Sequence, residues 1–341
     1  MYSFINDYCV VAHPNIMKRL NNICLDQHIG YGEDEICQHA KDIIRAEIGN
    51  PEAAIYFVVG GTQANMSVIS SLLKSPEAAI CADSGHIFTH ETGAIEATGH
   101  RVITAKTVNG KILPESIEKV LDQYSMRPHV CKPKLVYVSD STEIGTIYTK
   151  AELKALHDCC KAHDLYFYLD GARLGSALTA EGNDLTLKDL TELTDVFYIG
   201  GTKNGALMGE AVIFNDPKLG SDYDMVMKQR GALLAKGWIL GLQFEELFTD
   251  GLYFKMARRA NEMAARLSKG FEDNGFKMLT HSTTNQIFPI LKKTQIETLA
   301  KSFGFEIWED IDEETASIRF VTTWLTPEEE VDKLIAILKE L

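Results

Sequence analysis

Two charged residues that each end an apolar run, Asp170 and Lys203, give the clearest indication of chemistry in the chain. Asp170 follows the run Leu165–Leu169, and Lys203 comes shortly after the run Val196–Ile199. Buried parallel strands end in this way at the carboxyl edge of a sheet, where α/β enzymes bind their ligands. A lysine that forms a Schiff base and a carboxylate that keeps a pyridine nitrogen protonated are the groups that pyridoxal phosphate (PLP) needs. The pair therefore predicts a PLP site.

Each residue of this pair has an ordinary interpretation when it is taken alone. A lysine after a strand is usually a solvated loop residue, and an aspartate there is usually the N-cap of a helix. The PLP hypothesis therefore rests on Asp170 and Lys203 together, and on further motifs between residues 54 and 91.

The first of these motifs is a glycine turn at Gly60-Gly61-Thr62, between the predicted strand Ala54–Val59 and an apolar helix. Glycines let a backbone approach an anion closely, and the helix N-terminus offers free N–H groups at the positive end of its dipole. No lysine follows the glycines and the turn does not read G-x-G-x-x-G, which excludes a Walker loop and a dinucleotide fingerprint. The turn predicts a phosphate subsite at Gly61 and Thr62, with a simple turn capped by Thr62 as the alternative.

A polar stretch after the next predicted strand, Ala78–Cys81, contains two histidines, His86 and His90. A planar side chain at this position can stack on a ring that is seated at the neighbouring turn. His86 is the first candidate for that role and His90 the second. A hydrogen-bonded structural histidine is the ordinary alternative.

The elements that would position these residues alternate between apolar runs and amphipathic helical patterns. This alternation is typical of an α/β fold in which helices cover both faces of a mostly parallel sheet. Capping boxes predict helix starts at Thr149 and Thr326. The remaining strands of the large sheet are predicted at Arg101–Thr104, Leu135–Ser139, Tyr166–Asp170, Val196–Ile199 and Glu210–Phe214.

The pattern changes near residue 250, which predicts two domains. Residues 232–248 are apolar nearly all round, the helical pattern continues over residues 252–271, and a β-then-α region follows. We therefore expect a large domain over residues 1–250, with an arm at residues 1–25, and a smaller α+β domain over residues 251–341.

The composition excludes several classes of function. The charged fraction of 24% and the apolar fraction of 45% are typical of a soluble globular protein, and no apolar stretch is long enough to span a bilayer. A net charge of −14 argues against nucleic-acid binding. The N-terminus has no signal-peptide pattern, and the seven cysteines are scattered. We therefore expect a cytoplasmic protein with reduced thiols, without a disulfide framework or a metal site.

Taken in order, the motifs resemble the threonine aldolase and β-eliminating lyase family of fold-type-I PLP enzymes. The resemblance extends from about residue 30 to residue 325. It implies the fold of that group, an α/β large domain with a mostly parallel central sheet between helices and a smaller α+β C-terminal domain. The matching stretches are Tyr31-Gly32-Glu33-Asp34, Gly61-Thr62-Gln63-Ala64-Asn65, the pair His86 and Glu91, Asp170-Gly171-Ala172-Arg173, Thr202-Lys203 and Arg319-Phe320-Val321-Thr322.

The resemblance also implies the roles of residues in the cofactor site. Lys203 carries PLP, Asp170 pairs with the pyridinium nitrogen, and His86 stacks on the ring. The phosphate is held by Gly61 and Thr62, and Thr202 adds a hydroxyl group.

On the substrate side, the resemblance implies that Arg173 and Arg319 bind the carboxylate of an amino acid. His129 matches a second histidine that transfers protons. Asn6 stands where the family has a serine that helps to hold the carboxylate, and it can still donate a hydrogen bond.

Two further departures from the family pattern concern the lysine and a loop. Asn204 replaces the glycine after the lysine, and the loop over residues 228–236 is rebuilt. In the family an arginine of this loop reaches the phosphate of a neighbouring subunit, and either Arg230 or Lys236 would do so here. The resemblance thus implies a homo-oligomer, a dimer or a tetramer.

The activity that the resemblance implies is cleavage of a β-hydroxy-α-amino acid, such as L-threonine or L-allo-threonine, to glycine and an aldehyde. β-Elimination or transamination on the same scaffold is the first alternative, because fold does not fix reaction. A nucleotide-binding oxidoreductase would need a phosphate fingerprint that the glycine turn lacks. An interaction protein without PLP would leave Asp170 and Lys203 unexplained.

Overall fold

The computed structural model describes residues 1–23 and 25–341. Two short 3₁₀ turns occur at residues 96–98 and 249–251. The strands are β1 (Tyr2–Ser3), β2 (Ala54–Val58), β3 (Glu77–Ala82), β4 (Arg101–Ala105), β5 (Thr107–Val108), β6 (Lys111–Ile112), β7 (Lys132–Ser139), β8 (Tyr166–Asp170), β9 (Val196–Gly200), β10 (Glu210–Phe214), β11 (Lys277–Met278), β12 (Gln286–Ile287), β13 (Pro289–Lys292), β14 (Phe303–Gly304), β15 (Glu306–Asp310) and β16 (Thr315–Val321). The helices are α1 (Pro14–Asn22), α2 (Glu35–Ile48), α3 (Gly61–Leu72), α4 (His86–Thr89), α5 (Pro114–Gln123), α6 (Lys150–Ala162), α7 (Leu174–Leu178), α8 (Leu187–Leu193), α9 (Tyr223–Gln229), α10 (Trp238–Phe248), α11 (Leu252–Asp273), α12 (Lys293–Leu299) and α13 (Glu328–Leu338).

The central sheet has seven strands in the order β2-β10-β9-β8-β7-β3-β4. All neighbours are parallel except β10, which runs antiparallel to both β2 and β9. Every residue of β3, β9 and β10 is buried, as expected for strands that are covered on both faces. The predicted α/β class and mostly parallel sheet are therefore confirmed.

Two apolar cores fill the space between this sheet and its helices. Helices α2, α6, α8 and α10 cover one face, and helices α3 and α9 cover the other. Because side chains alternate along a strand, β8 directs Phe167 and Leu169 into the first core and Tyr168 into the second. Helix α6 begins as predicted, with a capping box formed by Thr149 and Glu152.

A second sheet follows helix α11 and has the order β11-β13-β16-β12, with β15 paired to β16. Helices α11 and α13 pack against it in a third core. This core includes Phe4, and β1 pairs with β14, so the first residues of the chain contact the C-terminal sheet. The division into two domains at residue 250 stays a prediction.

Two helix starts differ from the predictions. The apolar stretch over residues 232–248 becomes helical only at Trp238. Helix α13 has Pro327 as its N-cap, without a capping hydrogen bond, because the Thr326 hydroxyl accepts instead from the backbone N–H of Thr323 at 2.8 Å. Within the part of the chain that the structure describes, no helix is long and apolar enough to cross a membrane.

Candidate active site

A cavity of about 770 Å³, including its open mouth, lies at the carboxyl edge of the central sheet. The ends of β8 and β9 and the first residue of β10 supply much of its wall, because an antiparallel strand begins at the edge where parallel strands end. The cavity brings together seven of the predicted site residues, Gly61, Thr62, His86, Asp170, Arg173, Thr202 and Lys203.

Asp170 is buried at the floor of the cavity and accepts hydrogen bonds from neutral donors. Tyr137 Oη lies 2.6 Å from its Oδ2, Asn65 Nδ2 lies 3.0 Å from the same atom, and the Ala172 N–H lies 2.9 Å from Oδ1. The Tyr198 hydroxyl also donates to Oδ1. An ionised carboxylate is the form that only accepts, so this set of donors matches it.

Lys203 lies after β9, with its amine facing the cavity. Burial lowers the pKa of this amine, and the nearby positive charge of Arg173 lowers it further, although Asp7 and Asp170 act in the opposite direction. A lowered pKa leaves more of the amine neutral, which is the nucleophilic form. Lys203 can therefore form a covalent bond to a carbonyl carbon.

The glycine turn has the shape of an anion seat at the start of α3. A Cβ atom on Gly61 would lie 2.9 Å from Tyr198 Oη, while a Cβ atom on Gly60 would meet nothing within 4 Å. Open space thus lies directly over the backbone at the helix N-terminus, where N–H groups attract an anion. Thr62 and Thr202 also line the cavity.

His86 stands on the wall of the cavity and is held by a buried carboxylate. Its Nδ1 lies 2.8 Å from Glu91 Oε1, and that oxygen also accepts from Asn65 Nδ2 at 2.7 Å. Because Asn65 contacts Asp170 as well, one hydrogen-bonded chain links the histidine ring to the floor. His90 stacks behind His86, with ring centroids 5.7 Å apart, and does not line this cavity.

A second, outer cavity of about 900 Å³ adjoins the first and contains Arg319. The two cavities share Tyr8, His86, Glu143, Arg173 and Lys203. The outer walls also carry the aromatic side chains of Phe305 and Trp308, which come from the C-terminal part of the chain.

Both arginines of the site are paired with carboxylates of the chain itself. Arg173 Nε lies 2.7 Å from Asp7 Oδ2, and Arg173 Nη2 lies 3.1 Å from Asp7 Oδ1. Asp7 is 1% exposed and also accepts from Asn285. Burial alone would raise the pKa of Asp7, but the charges of Arg173 and Lys203 outweigh it and lower the pKa. Arg319 contacts the half-exposed Glu306.

Four predicted residues line neither cavity. Asn6 Oδ1 accepts from the Tyr8 N–H at 3.2 Å, and Arg230 Nε donates to Ser70 Oγ at 2.9 Å. Lys236 is exposed. His129 is exposed and precedes β7, which places it at the amino edge of the sheet, away from the cavity at the carboxyl edge. Any functions of these four residues remain predictions.

Four acidic residues of the site were missed by the sequence reasoning: Asp7, Glu143, Glu210 and Glu306. Glu143 accepts from Ser139 Oγ at 2.8 Å and from the His86 N–H at 3.0 Å, and burial raises its pKa. Glu210 is 3% exposed and begins β10. The sequence did contain a signal for Glu210. The connection from β9 to β10 is too short for a crossover helix, which predicts that β10 is antiparallel to β9. An antiparallel strand starts at the carboxyl edge of the parallel strands, where the cavity lies.

Comparisons with known proteins agree with this geometry. The family described as beta-eliminating lyase matches residues 4–294. A low specificity L-threonine aldolase from Pseudomonas sp. is 33% identical over 315 residues, which cover 91% of this chain and 89% of that protein. A solved threonine aldolase from Leishmania major is 45% identical, with a TM-score of 0.98 over 100% of this chain and 99% of its own. A mutant aspartate aminotransferase from Thermus thermophilus shares the fold at 15% identity, with a TM-score of 0.74 over 100% of this chain and 91% of its own.

Proposed function

Since the chain belongs to the β-eliminating lyase family, we propose that it is a PLP-dependent aldolase. Its reaction is the cleavage of a β-hydroxy-α-amino acid, L-threonine, L-allo-threonine or a bulkier analogue, to glycine and an aldehyde. The observation that carries the proposal is the meeting of Lys203, Asp170 and the glycine turn in one cavity. The names of the two threonine aldolases that cover nearly the whole chain support the choice of reaction.

The residues of the cavity fit PLP at each of its functional groups. The open backbone at Gly60 suits the phosphate, and the amine of Lys203 suits the aldehyde carbon. Asp170 suits the pyridinium nitrogen, because a carboxylate held by neutral donors keeps its negative charge available for that nitrogen. When bound, PLP supplies the electron sink that accepts the electron pair of the broken Cα–Cβ bond.

To bind the substrate carboxylate, an arginine must be able to leave its carboxylate partner in the protein and contact the substrate instead. Arg319 fulfils this requirement, because its partner Glu306 has a side chain that is 43% exposed and can turn to solvent. Asp7, the partner of Arg173, is buried and held by Asn285, so this pair stays together. We infer that Arg319 binds the carboxylate and that Arg173 contributes its charge from a fixed position.

Cleavage also requires a base for the proton of the β-hydroxyl group. The candidates are the titratable side chains that line both cavities. Apart from Lys203 and the permanently charged Arg173, these are Tyr8, His86 and Glu143. His86 is oriented through Glu91, which suits a group that holds or moves a proton at Nε2. Glu143 contacts the backbone of His86 and is placed to modulate it.

The experiment that tests the function measures the products. Aldehyde release is coupled to an NADH-dependent alcohol dehydrogenase, and glycine is counted in parallel. Equal amounts of glycine and aldehyde support the aldolase. Ammonia with a keto acid would instead assign β-elimination, and consumption of an added keto acid without aldehyde would assign transamination.

We further propose that the enzyme is a homo-oligomer with its active site near a subunit interface. Lys228 lies 4.3 Å over the ring of Tyr31, and in the sequence it forms a basic group with Arg230 and the exposed Lys236 in an otherwise acidic protein. Such a group suits the phosphate of a neighbouring subunit. Analytical ultracentrifugation that finds a fully active monomer at assay concentration would exclude this assembly.

We also propose that the enzyme works in the cytoplasm. Six cysteines among the described residues are free thiols, two of them at adjacent buried positions, Cys159 and Cys160. Free buried thiols are typical of a reducing compartment. Cell fractionation followed by immunodetection tests this location.

A further inference from the structure

A buried carboxyl group, Glu210, lies in the cavity wall between the glycine turn and Lys203. In the sheet, Glu210 is paired with Val58 on one side and with Gly200 on the other. Val58 leads within two residues to Gly60, and Gly200 leads within three residues to Lys203. Glu210 therefore stands beside the phosphate seat, and it lines the same cavity as Gly60, Gly61, Thr62 and Thr202.

The surroundings of Glu210 hold one of its oxygens and leave it without an ion pair. Oε2 accepts from the Gly201 N–H at 3.0 Å. None of the salt bridges found among the described residues includes Glu210, so Lys203, whose charge acts on it, does not neutralise it by direct contact. A phosphate dianion in the adjacent seat would face an unpaired carboxylate if Glu210 were ionised, and such like charges repel strongly in a buried site.

We propose that Glu210 is a positioning residue of the phosphate subsite, where it acts as the neutral acid and donates a hydrogen bond from its carboxyl O–H to the phosphate of PLP. The proposal rests on the proposed function, since it takes PLP as the ligand of the cavity. Its consequence is that PLP binding and protonation of Glu210 are coupled. The cofactor binds with the proton in place, and loss of that proton weakens the binding.

The protonation state of Glu210 agrees with this role near neutral pH. The pKa of Glu210 is raised to about 8, chiefly by burial and also by the charge of Asp170. The hydroxyl of Thr202, the charge of Lys203 and the N–H of Gly201 act in the opposite direction. The other titratable groups that face it are the hydroxyls of Tyr168, Tyr198 and Tyr253, which are neutral because burial raises their pKa values.

The sign of the coupling follows from this pKa. Below about 8 the carboxyl is protonated in both the free and the PLP-bound protein, so Glu210 causes no pH dependence. Above about 8 the free protein loses the proton, whereas the phosphate keeps it on Glu210 in the complex. PLP binding must then take up a proton, and its dissociation constant rises with pH.

The test compares the PLP dissociation constants of wild-type apoprotein and Glu210→Gln over a pH series, by equilibrium dialysis. Glutamine keeps an acceptor for Gly201 and a donor for the phosphate but cannot ionise. We expect the ratio of the wild-type to the variant constant to be flat below about pH 7.5 and to rise about tenfold by about pH 9.5, which corresponds to a pKa change of about one unit on binding. A ratio that stays flat over this range would overturn the proposal.

Two controls isolate the phosphate and the lysine. With pyridoxal, which lacks the phosphate, the same ratio should stay flat, and a rise there would show that the effect does not act through the phosphate. Repeating the series in a Lys203→Ala background removes the titration of the lysine amine. The rise should persist there but begin at a higher pH, because the charge of Lys203 no longer lowers the pKa of Glu210.

Failure of the proposed function would look different, because PLP would then not bind or would be attached to another lysine at every pH. If Glu210→Gln does not fold, wild-type protein decides alone. Its affinity for PLP relative to pyridoxal should fall above about pH 8, since the phosphate is already a dianion there. A relative affinity that does not change would overturn the proposal.

Discussion

The two ends of the cavity are built from different kinds of side chain. At the floor, Asp170 receives hydrogen bonds from Tyr137, Tyr198 and Asn65, all buried and neutral. At the mouth, Arg173 is paired with Asp7 from a distant part of the chain, and Arg319 with Glu306 from the neighbouring strand. The neutral donors hold the Asp170 carboxylate in one geometry, which suits a cofactor that stays in place. The half-exposed Glu306 can release Arg319, which suits a substrate that comes and goes, whereas the buried Asp7 keeps Arg173 in place.

The difference extends to the elements that carry the residues. Except for Asn65 on α3, the floor is made by neighbouring strands of one sheet, β7, β8 and β9, so most of its geometry follows from strand register. The mouth combines the N-terminal segment near Asp7, the turn after β8 and strands β15 and β16 of the second sheet. Movement between the two sheets would therefore change the mouth while leaving the floor intact.

Removal of the amine at the floor should have the largest effect. We expect Lys203→Ala to lower turnover by about 10³-fold or more, because the covalent attachment of PLP is lost. Borohydride reduction of wild-type protein followed by peptide mapping should find the pyridoxyl group on Lys203. Lys154→Ala, an exposed lysine on α6, is the control and should keep both activity and label. A label on another lysine would contradict the assignment.

Asp7→Asn tests whether the fixed ion pair at the mouth is structural. The substitution leaves Arg173, whose side chain is 14% exposed, without its charge partner, so we expect the free energy of unfolding to fall by about 3 kcal/mol. Urea denaturation measures it, and Asp42→Asn, at an exposed pair with Arg45, should change it by less than about 1 kcal/mol. A loss for Asp7→Asn as small as that of the control would show that Arg173 does not depend on Asp7.

Asp170→Asn separates the charge at the floor from its geometry. The amide keeps the shape but not the negative charge, so we expect cofactor to be retained and kcat to fall by about 10²-fold, or about 2.7 kcal/mol. Steady-state kinetics with the PLP absorbance spectrum measure both. Turnover close to that of the wild type would show that Asp170 is only a structural residue.

The sequence predicted the floor better than the mouth. Asp170, Lys203 and the glycine turn follow apolar runs, so a local pattern was enough to place them at one sheet edge. Asp7 pairs with Arg173, which is remote in the sequence, and Glu306 pairs with Arg319, which lies on the neighbouring strand. Glu210 needed the recognition that β10 is antiparallel. His129 was taken from a motif match, and it precedes β7 at the amino edge of the sheet, away from the cavity. Non-local pairing is the information that a single sequence lacks.

The two arginines should respond differently to the same substitution. Arg319→Lys keeps the charge but loses the planar fork, so we expect KM for the amino acid to rise about tenfold, or about 1.4 kcal/mol, with a smaller change in kcat. Arg173→Lys should also raise KM, and in addition lower stability, because the bidentate contact with Asp7 is lost. Arg266→Lys on the surface is the control. Normal KM values in both variants would place the carboxylate elsewhere.

Glu306→Gln should have the smallest effect on the kinetics, and it is the most sensitive test of the contrast between the floor and the mouth of the cavity. If Glu306 competes with the substrate for Arg319, its neutralisation removes the competitor, and we expect KM to fall two- to threefold, about 0.5 kcal/mol, with kcat unchanged. Glu309→Gln is the matched control, an exposed glutamate on the same strand, and it should change nothing. A rise in KM for Glu306→Gln would show that Glu306 holds Arg319 in position. The mouth would then be a fixed structure like the floor, and the contrast between the two ends would fail.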